Sequence, residues 1–467
     1  MKAHLILLML IWVINHNLSA QTLSSEQMKS DFHIFRQALE TFHPEMYRYT
    51  SEEEFDQLFE RIEKSLNQPL SQQEFYKLLR PALVQLKDGH IKWIVQGKDQ
   101  HYGFFEENLF PIRLYFEEDK VYAIHHYLNE AIPELPEVTA INGIPIPKIK
   151  NQLLQSLTYG DGESLGGKYY ELNRFFSAYY STELGTSETY TIDWIVNGYP
   201  QKWTGKGISK TEIEETYPAS QEPFSFKKIN DRTAMLKINR FFSMKREPDF
   251  NKFLKTSFKS LSEEGISNLI LDLRGNEGGN EKLGIELYRY IALKPFQYYN
   301  YLSTRPNSSV DFDHNTSKLF RIVNSFSKEK DGDYQFTKSP GLKPIKPYSL
   351  AFKGEVILLL DGQSFSVTTE FASRAQSDHR VTIIGEETAG GAEGNSSGFF
   401  TIVTLPNSKI DLGIPRIGFH IADLDKSINP NRGIIPNEVI QPTASDIQDQ
   451  KDPVMDQALK LVGKLEN

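Results

Sequence analysis

The chain has 467 residues with a formal net charge of −9, and 39% of its residues are hydrophobic and 24% charged, which predicts a globular protein of two or three domains. The acidic balance argues against nucleic acid as a partner, because a nucleic-acid-binding face is basic. The chain contains no cysteine, which excludes disulfides, thiol catalysis and cysteine-ligated metals.

The first twenty residues, MKAHLILLMLIWVINHNLSA, predict a signal peptide with cleavage after Ala20. A lysine precedes an apolar run from Leu5 to Ile14, and this run is shorter than the roughly 20 residues that span a bilayer. No later stretch is long enough either. We therefore expect a secreted or periplasmic protein without an integral membrane segment. A lipoprotein anchor is not expected, because it would require a cysteine.

Residues 21–100 predict a small N-terminal helical domain, because apolar side chains recur at helical spacing. Ser51 precedes Glu54 and Ser71 precedes Glu74 with the spacing of capping boxes, which marks two helix starts. The aromatic residues of this region are interpreted as core.

Residues 101–215 predict a second, β-rich domain of short alternating segments such as PIRLYFEEDKVYAIHH. Asn142-Gly143 in VTAINGIPIPKI predicts a tight turn. A long insertion, TYGDGESLGGKYYELNRFF, follows at 158–176.

Residues 216–467 predict an α/β domain with a mainly parallel sheet, because apolar strands such as TAMLKINR and NLILDL alternate with helical segments. The stretch 303–349 is polar and aperiodic, so we expect an irregular excursion over a cleft there.

Two apolar strands of this domain run into small polar turns. SNLILDLRGNEGGN at 267–280 supplies glycines whose backbone can approach a ligand closely, with Asp272 and Arg274 placed to form a structural ion pair. EVILLLDGQSFSVTTEF at 355–371 places Ser366 between a strand and a helix, where a hydroxyl can act as a nucleophile. The alternative for Ser366 is the commoner role of a helix N-cap.

These blocks resemble a known family, the serine peptidases that include the tail-specific (C-terminal processing) proteases and the tricorn core proteases. DLRGNEGG at 272–279 is similar to the family's D-x-R-x-N-x-G-G loop, and SFSVTTEF at 364–371 to its nucleophile segment. VTIIGEETAGG at 381–391, RGIIPNEVI at 432–440 and DPVMDQAL at 452–459 resemble later elements in the same order. Weaker similarity extends upstream through KDGHI at 87–91 and the HPEMYRYTSEEEF segment from His43.

The resemblance implies a Ser366 nucleophile, but the general base differs between branches of the family. The C-terminal processing branch places a lysine where this chain has Gly390-Gly391, and no lysine occurs between Lys353 and Lys409. The tricorn-like branch uses a histidine in a D-G-H motif, which Lys87-Asp88-Gly89-His90 matches. His90 is therefore the expected base, as a neutral imidazole at neutral pH. The alternative is a partly exposed histidine after a helix that ends at Gly89.

The remaining site residues follow from the same resemblance. The N–H of Val367 and that of Gly278 or Gly279 are expected to hold the oxyanion. The acid that orients His90 is assigned to Glu386, with Glu370 as the alternative. No metal site and no cofactor are expected.

The implied architecture is a crotonase-like ββα catalytic domain with an N-terminal helical domain and a PDZ-like domain at 101–215. The implied activity is that of a serine endopeptidase acting on peptides or unfolded protein ends through an acyl-enzyme. The alternative is a non-catalytic ligand- or peptide-binding module of the same fold. The oligomeric state is not readable from these patterns.

A first prediction tests the choice of base. Lys353→Ala and Lys409→Ala should each retain peptidase activity, because neither lysine lies where the family's dyad lysine belongs. Cleavage of an unstructured protein substrate measures both variants. A loss of about a hundredfold in either variant would contradict the assignment of His90, since removal of a general base typically costs that much or more.

Overall fold

The structure is a computed structural model that describes residues 22–117, 119–217, 222–330 and 332–465. The expected signal peptide lies outside these ranges, so it stays a prediction. Within these ranges, no helix is long and apolar enough to cross a membrane.

Three helices form the N-terminal region, and both expected capping boxes are present. Ser51 and Ser71 each accept a hydrogen bond from the backbone of the glutamate three residues later, which fixes the starts of the second and third helices. The apolar faces of the helices share one core with strands from the far end of the chain. The elements are β1 (Thr22–Leu23), α1 (Ser25–Phe42), α2 (Glu52–Ser65), β2 (Leu70–Ser71), α3 (Gln72–Leu86) and β3 (Lys92–Val95).

An antiparallel sheet with its own core follows in the middle of the chain. Asn142 and Gly143 both have positive φ, 49° and 76°, which confirms the tight turn. The insertion at 158–176 leads into a long helix that packs on this sheet. The elements are β4 (Ile112–Phe116), β5 (Val121–His126), β6 (Glu137–Ile141), β7 (Ile144–Pro145), α4 (Ile146–Leu154), α5 (Gly166–Leu184), β8 (Thr189–Val196), β9 (Tyr199–Lys206) and α6 (Lys210–Glu214).

The last part of the chain contains the expected mainly parallel sheet. Its strands are β10 (Phe224–Lys228), β11 (Thr233–Ile238), β12 (Asn268–Asp272), β17 (Glu355–Leu360), β18 (Thr382–Gly385) and β21 (Glu438–Val439). Their order in the sheet is β10-β11-β12-β17-β18-β21, with β10 antiparallel at one edge and the other pairs parallel. The helices are α7 (Phe250–Glu263), α8 (Glu281–Arg289), α9 (Lys318–Asn324), α10 (Val367–Ser377), α11 (Ala444–Gln448) and α12 (Pro453–Leu465).

A second, antiparallel sheet was not foreseen from the sequence. Two long strands pair near its centre, and the stretch 303–349, expected to be irregular, contributes short outer strands and α9. These outer strands are two or three residues long and mostly exposed, so they carry no apolar periodicity. The remaining strands are β13 (Tyr299–Thr304), β14 (Asn315–Thr316), β15 (Lys328–Lys330), β16 (Asp333–Gln335), β19 (Ser396–Thr404) and β20 (Ile410–Ile421).

The N-terminal region is fastened to this second sheet. β3 pairs with β20, and the buried carboxylate of Asp31 accepts three hydrogen bonds from the turn between β19 and β20. The donors are Asn407 N (3.0 Å), Asn407 Nδ2 (2.8 Å) and Ser408 N (2.7 Å). Residues 22–95 therefore contribute to the same packed body as the last sheet.

A second prediction follows from this contact. Asp31→Ala should lower the free energy of unfolding by about 2 to 4 kcal/mol, because it leaves buried donors without an acceptor. Asp56→Ala is the matched control, since its ion pair with Arg36 is exposed and should contribute less than about 1 kcal/mol. The midpoint of urea denaturation measures both. Equal shifts in the two variants would show that the Asp31 contact does not hold the two regions together.

Candidate active site

Ser366 lies in a strained turn between β17 and α10. Its φ of 54° and ψ of −125° fall in a region that a residue with a Cβ rarely adopts. Its side chain makes no capping hydrogen bond to the helix. The N-cap alternative therefore does not describe this serine, whereas a strained strand-to-helix turn is typical of an exposed nucleophile.

The two polar turns foreseen from the sequence face each other. Phe365 N donates to the carbonyl of Asn276 (3.2 Å), and Gly275 N donates to the carboxylate of Asp361 (2.9 Å). Asp272 and Arg274 form the expected ion pair, which Asp452 extends. These contacts hold the loop after β12 against the turn that carries Ser366.

Two of the expected oxyanion donors have no acceptor among the hydrogen bonds of the described residues. These are the N–H groups of Val367 and Gly279, whereas Gly278 N donates to Asn276 Oδ1 (2.8 Å). Of the two alternatives at the glycine pair, Gly279 is thus the one with a free N–H.

Gly278 has a different effect on the same space. A Cβ added at this residue would lie 2.8 Å from Ser366 Cβ and 2.9 Å from Val367 N. Its φ of 101° also disfavours any other residue. The glycine therefore keeps the space in front of the Val367 N–H open.

His90 reaches this turn from the other end of the chain. α3 ends at Leu86, Lys87 adopts a left-handed conformation, and the His90 ring stacks on Phe365, the residue before Ser366, at 4.3 Å between ring centroids. Burial lowers the pKa of His90 to about 4, against the opposing effect of the Asp88 carboxylate. The ring is therefore neutral over most of the pH range. No hydrogen bond joins it to the Ser366 hydroxyl.

Asp88 is the carboxylate closest to His90, with 3.9 Å between Asp88 Oδ1 and His90 Nδ1. His43 Nε2 lies 2.9 Å from Asp88 Oδ2, and His43 Nδ1 accepts a hydrogen bond from Glu45 N. Because Nδ1 accepts, Nε2 carries the proton and donates to Asp88. Burial acts to raise the pKa of Asp88, but the His43 hydrogen bond, aided by the charges of His43 and His90, lowers it overall.

Asp161, in the insertion at 158–176, connects the loop before His90 to the segment after β18. Its Oδ1 accepts from Gly89 N (2.9 Å) and its Oδ2 from Gly391 N (3.0 Å). Burial raises the pKa of Asp161 to about 7, and the nearby charge of Asp88 acts in the same direction. One carboxylate thus fixes the loop before His90 to the segment that follows β18.

The structure does not bring Glu386 or Glu370 to His90. Glu386 accepts a hydrogen bond from Gly362 N (3.2 Å), and Glu370 accepts from the Tyr299 hydroxyl (2.5 Å) and from Asn395 Nδ2 (2.7 Å). Burial raises the pKa of each glutamate to about 7. Their contacts do not support the role of orienting acid. Asp88 is the carboxylate nearest the His90 ring, whose buried Nδ1 has no hydrogen-bond partner among the described residues.

The family's G-K pair corresponds to Gly390-Gly391, so its lysine falls at Gly391. A Cβ added at Gly391 would lie 2.9 Å from Gly394 O, 2.9 Å from Tyr49 Oη and 3.3 Å from Asp161 Cβ. A side chain at 391 would therefore require these neighbours to shift.

One group of side chains in the described residues could hold a metal ion, although no metal was expected. The ligand atoms of Asp88, His90 and Asp161 lie within 4.8 Å of one another. The carboxylate oxygens of this group already accept hydrogen bonds from Gly89, His90, Gly391 and His43. These hydrogen bonds satisfy the carboxylates of Asp88 and Asp161 without an ion. That the chain has no metal site stays a prediction.

The sequence interpretation thus missed the acids around His90. Asp88 and His43 both stand in segments that carry the family resemblance, but their contacts with each other were not foreseen. Asp161 lies between Gly160 and Gly162, a pattern typical of an ordinary turn. Its partners are 72 and 230 residues away, so no local pattern identifies it.

A cavity of about 660 Å³ opens beside the site, between the middle sheet and the carboxyl ends of β12, β17 and β18. Gly275, Asp361 and Gly362 of the two polar turns line it together with tyrosines from the middle region, whereas Ser366 and His90 do not. Clefts at the carboxyl ends of parallel strands are common ligand sites.

Comparison with known proteins agrees with the sequence resemblance. Residues 232–412 match the model described as Peptidase family S41. No curated protein sequence matches the chain.

Several solved structures are similar in fold. Mature CPAF complexed with lactacystin has 15% identity over 94% of this chain and 98% of its own, with a TM-score of 0.63. Mature CPAF alone has 14% identity over 91% and 94%, with a TM-score of 0.61. The photosystem II D1 C-terminal processing protease has 11% identity over 89% and 93%, with a TM-score of 0.44. At these identities the two CPAF structures show a shared mixed α/β fold.

A third prediction concerns pH. If His90 is the base, kcat/KM should stay constant from neutral pH downward and fall to half near pH 4, because only the neutral ring can accept a proton. An unshifted histidine would give a half-maximum near 6.5. Cleavage rates across the pH range measure this, with circular dichroism at each pH to exclude unfolding. A half-maximum near 6.5 in the folded protein would contradict the buried, neutral base.

Proposed function

We propose that this chain, which carries a serine peptidase domain of family S41, is a secreted serine endopeptidase that cleaves peptides or unfolded protein ends through an acyl-enzyme. The backbone of Ser366 is the observation that carries this proposal. A serine held at φ 54° at the end of a buried parallel strand, with an uncapped hydroxyl, has no evident structural role that offsets its strain.

Ser366 Oγ attacks the peptide carbonyl carbon while His90 accepts the hydroxyl proton. The carbonyl oxygen becomes an oxyanion, which the N–H of Val367 and that of Gly279 stabilise. When the tetrahedral intermediate collapses, the C–N bond breaks and His90 returns the proton to the leaving amine. Water then attacks the acyl-enzyme by the same route and regenerates Ser366.

Asp88 supports the base during these steps. His90 becomes positively charged when it takes the proton, and the carboxylate 3.9 Å from its Nδ1 compensates that charge. The hydrogen bond from His43 keeps Asp88 in place. Asp88 therefore takes the role first assigned to Glu386.

The finer features of the architecture belong to the same proposal. The catalytic domain is of the crotonase-like ββα type, and the antiparallel sheet at 101–215 is a PDZ-like domain that forms one wall of the cleft. The cavity of about 660 Å³ has room for several substrate residues. Its tyrosine-rich wall would bind an extended, unfolded segment rather than a folded surface.

A fourth prediction tests the nucleophile and the base together. Ser366→Ala and His90→Ala should each lower kcat by at least about a thousandfold, and the double variant should be no worse than either single one, because paired residues act as one unit. His33→Ala, on the exposed face of α1, is the matched control and should keep full activity. Hydrolysis of an unstructured protein measures all four.

Covalent labelling separates the peptidase from a binding module of the same fold. A serine-directed reagent should label the wild-type chain once and Ser366→Ala not at all. Unchanged cleavage by Ser366→Ala would remove Ser366 as the nucleophile. A wild-type chain that neither cleaves nor takes the label would favour the binding module.

A further inference from the structure

Arg416 is a buried cation without an anionic partner. It lies in β20, its relative exposure is 2%, and the described part of the chain contains no ion pair between it and a carboxylate. Phe42 and Phe320 cover its guanidinium at 5.0 and 4.7 Å from the ring centroids. Arginine is almost never fully buried unless it is paired with an anion, so the burial of Arg416 indicates that an anionic ligand binds here.

The donors of Arg416 are only partly used. Nη1 donates to Thr401 Oγ1 (2.8 Å), whereas Nε is buried and has no hydrogen-bond partner. Nη2 likewise has no hydrogen bond among the described residues. Nε–H and Nη2–H form the side-on edge of a guanidinium, which binds two oxygens of a carboxylate or phosphate at once.

Arg416 lines a cavity of about 320 Å³ with a basic and hydroxyl-rich wall. Arg321, Ser308 and Ser309 are exposed at its rim, and His314 is half-buried beside them. The lining also includes Thr316, whose Oγ1 lies 3.0 Å from His314 Nδ1 and 2.8 Å from Thr401 Oγ1. This hydrogen-bonded row leads directly to Arg416, so the wall is organised before any ligand arrives.

The charges around the cavity are of one sign. Burial lowers the pKa of Arg416 to about 10, and the positive charge of Arg321 adds to this effect. Burial also lowers the pKa of His314, and both arginines act in the same direction, opposed only by Asp313. Asp313 does not line the cavity. An anion between these groups would relieve their mutual repulsion.

We infer that this cavity binds a small oxyanion, a phosphate or a carboxylate, between the side-on edge of Arg416 and the guanidinium of Arg321. The hydroxyl groups of Ser308, Ser309 and Thr316 would complete its hydrogen bonds. The site lies on the second sheet and shares no residue with the site around Ser366, so it goes beyond the proposed peptidase activity.

Binding of inorganic phosphate to the full chain at constant ionic strength tests this inference. Calorimetric titration and the shift of the melting temperature should both show saturable binding. Arg321→Gln should weaken it about tenfold, since a charge-assisted contact is lost. Lys318→Gln is the matched control, because Lys318 is exposed one turn earlier on α9 and does not line the cavity.

Arg416→Lys gives a sharper test, because it keeps the charge but loses the side-on pair of donors. Phosphate binding should weaken about tenfold or more. Should this buried substitution impair folding, Arg321→Gln alone decides the question, because Arg321 is exposed. Equal affinities in Arg321→Gln and Lys318→Gln, or no saturable binding of phosphate or acetate, would overturn the inference.

Two further titrations separate the sources of the oxyanion. A peptide with a free C-terminal carboxylate and its amide are compared in the Ser366→Ala background, where no cleavage occurs. Binding of the free peptide but not the amide identifies a chain end as the ligand. Binding of phosphate with no difference between the peptides identifies an inorganic anion. Both results support an oxyanion site, and neither depends on peptidase activity.

Discussion

The site around Ser366 depends on one buried carboxylate, that of Asp161. It accepts one N–H from the loop before His90 and one from the segment after β18. The nucleophile and the base lie 276 positions apart in the numbering of the chain, and they come from regions with separate cores. Apolar packing alone holds such regions together without fixing their relative position to within an ångström, because burial is not directional. A carboxylate that bridges two backbone N–H groups supplies that precision. The cost is that burial disfavours the ionised form of this carboxylate.

That cost explains the arrangement of the neighbouring acids. Asp88 and Asp161 are both buried, and the charge of Asp88 acts with burial to raise the pKa of Asp161. The hydrogen bond from His43 stabilises the charge on Asp88, whereas the hydrogen bonds to Asp161 come from backbone donors alone. The pKa of Asp88 is lowered and that of Asp161 is raised. The His90 ring, stacked on Phe365, is neutral above about pH 4 because burial lowers its pKa. The electrostatics thus leave one anion, Asp88, ready to face the imidazolium that proton transfer would create.

The sequence predicted the parts of this molecule that depend on local chemistry. The capping boxes, the Asn142-Gly143 turn, the Asp272–Arg274 pair and the parallel sheet are confirmed, because each depends on residues close in sequence or on strand periodicity. The second sheet was missed because its outer strands are short and polar. The acid beside His90 was not foreseen for another reason. Glu386 follows β18, the strand beside the one that leads to Ser366. The direction of its side chain depends on the hydrogen bond from Gly362 N and on packing, and no sequence motif encodes either.

The glycine at 391 links the choice of base to the architecture. A Cβ there would lie 2.9 Å from both Gly394 O and Tyr49 Oη, so the position of the family's lysine has no room for a side chain unless these neighbours move. The proposed base comes instead from the segment after α3, which places the His90 ring against Phe365. That segment belongs to a region held in place by β3, by Asp31 and by a core shared with β19 and β20. The geometry of the site therefore depends on contacts at the far end of the second sheet, which a lysine on the nucleophile's own domain would not require.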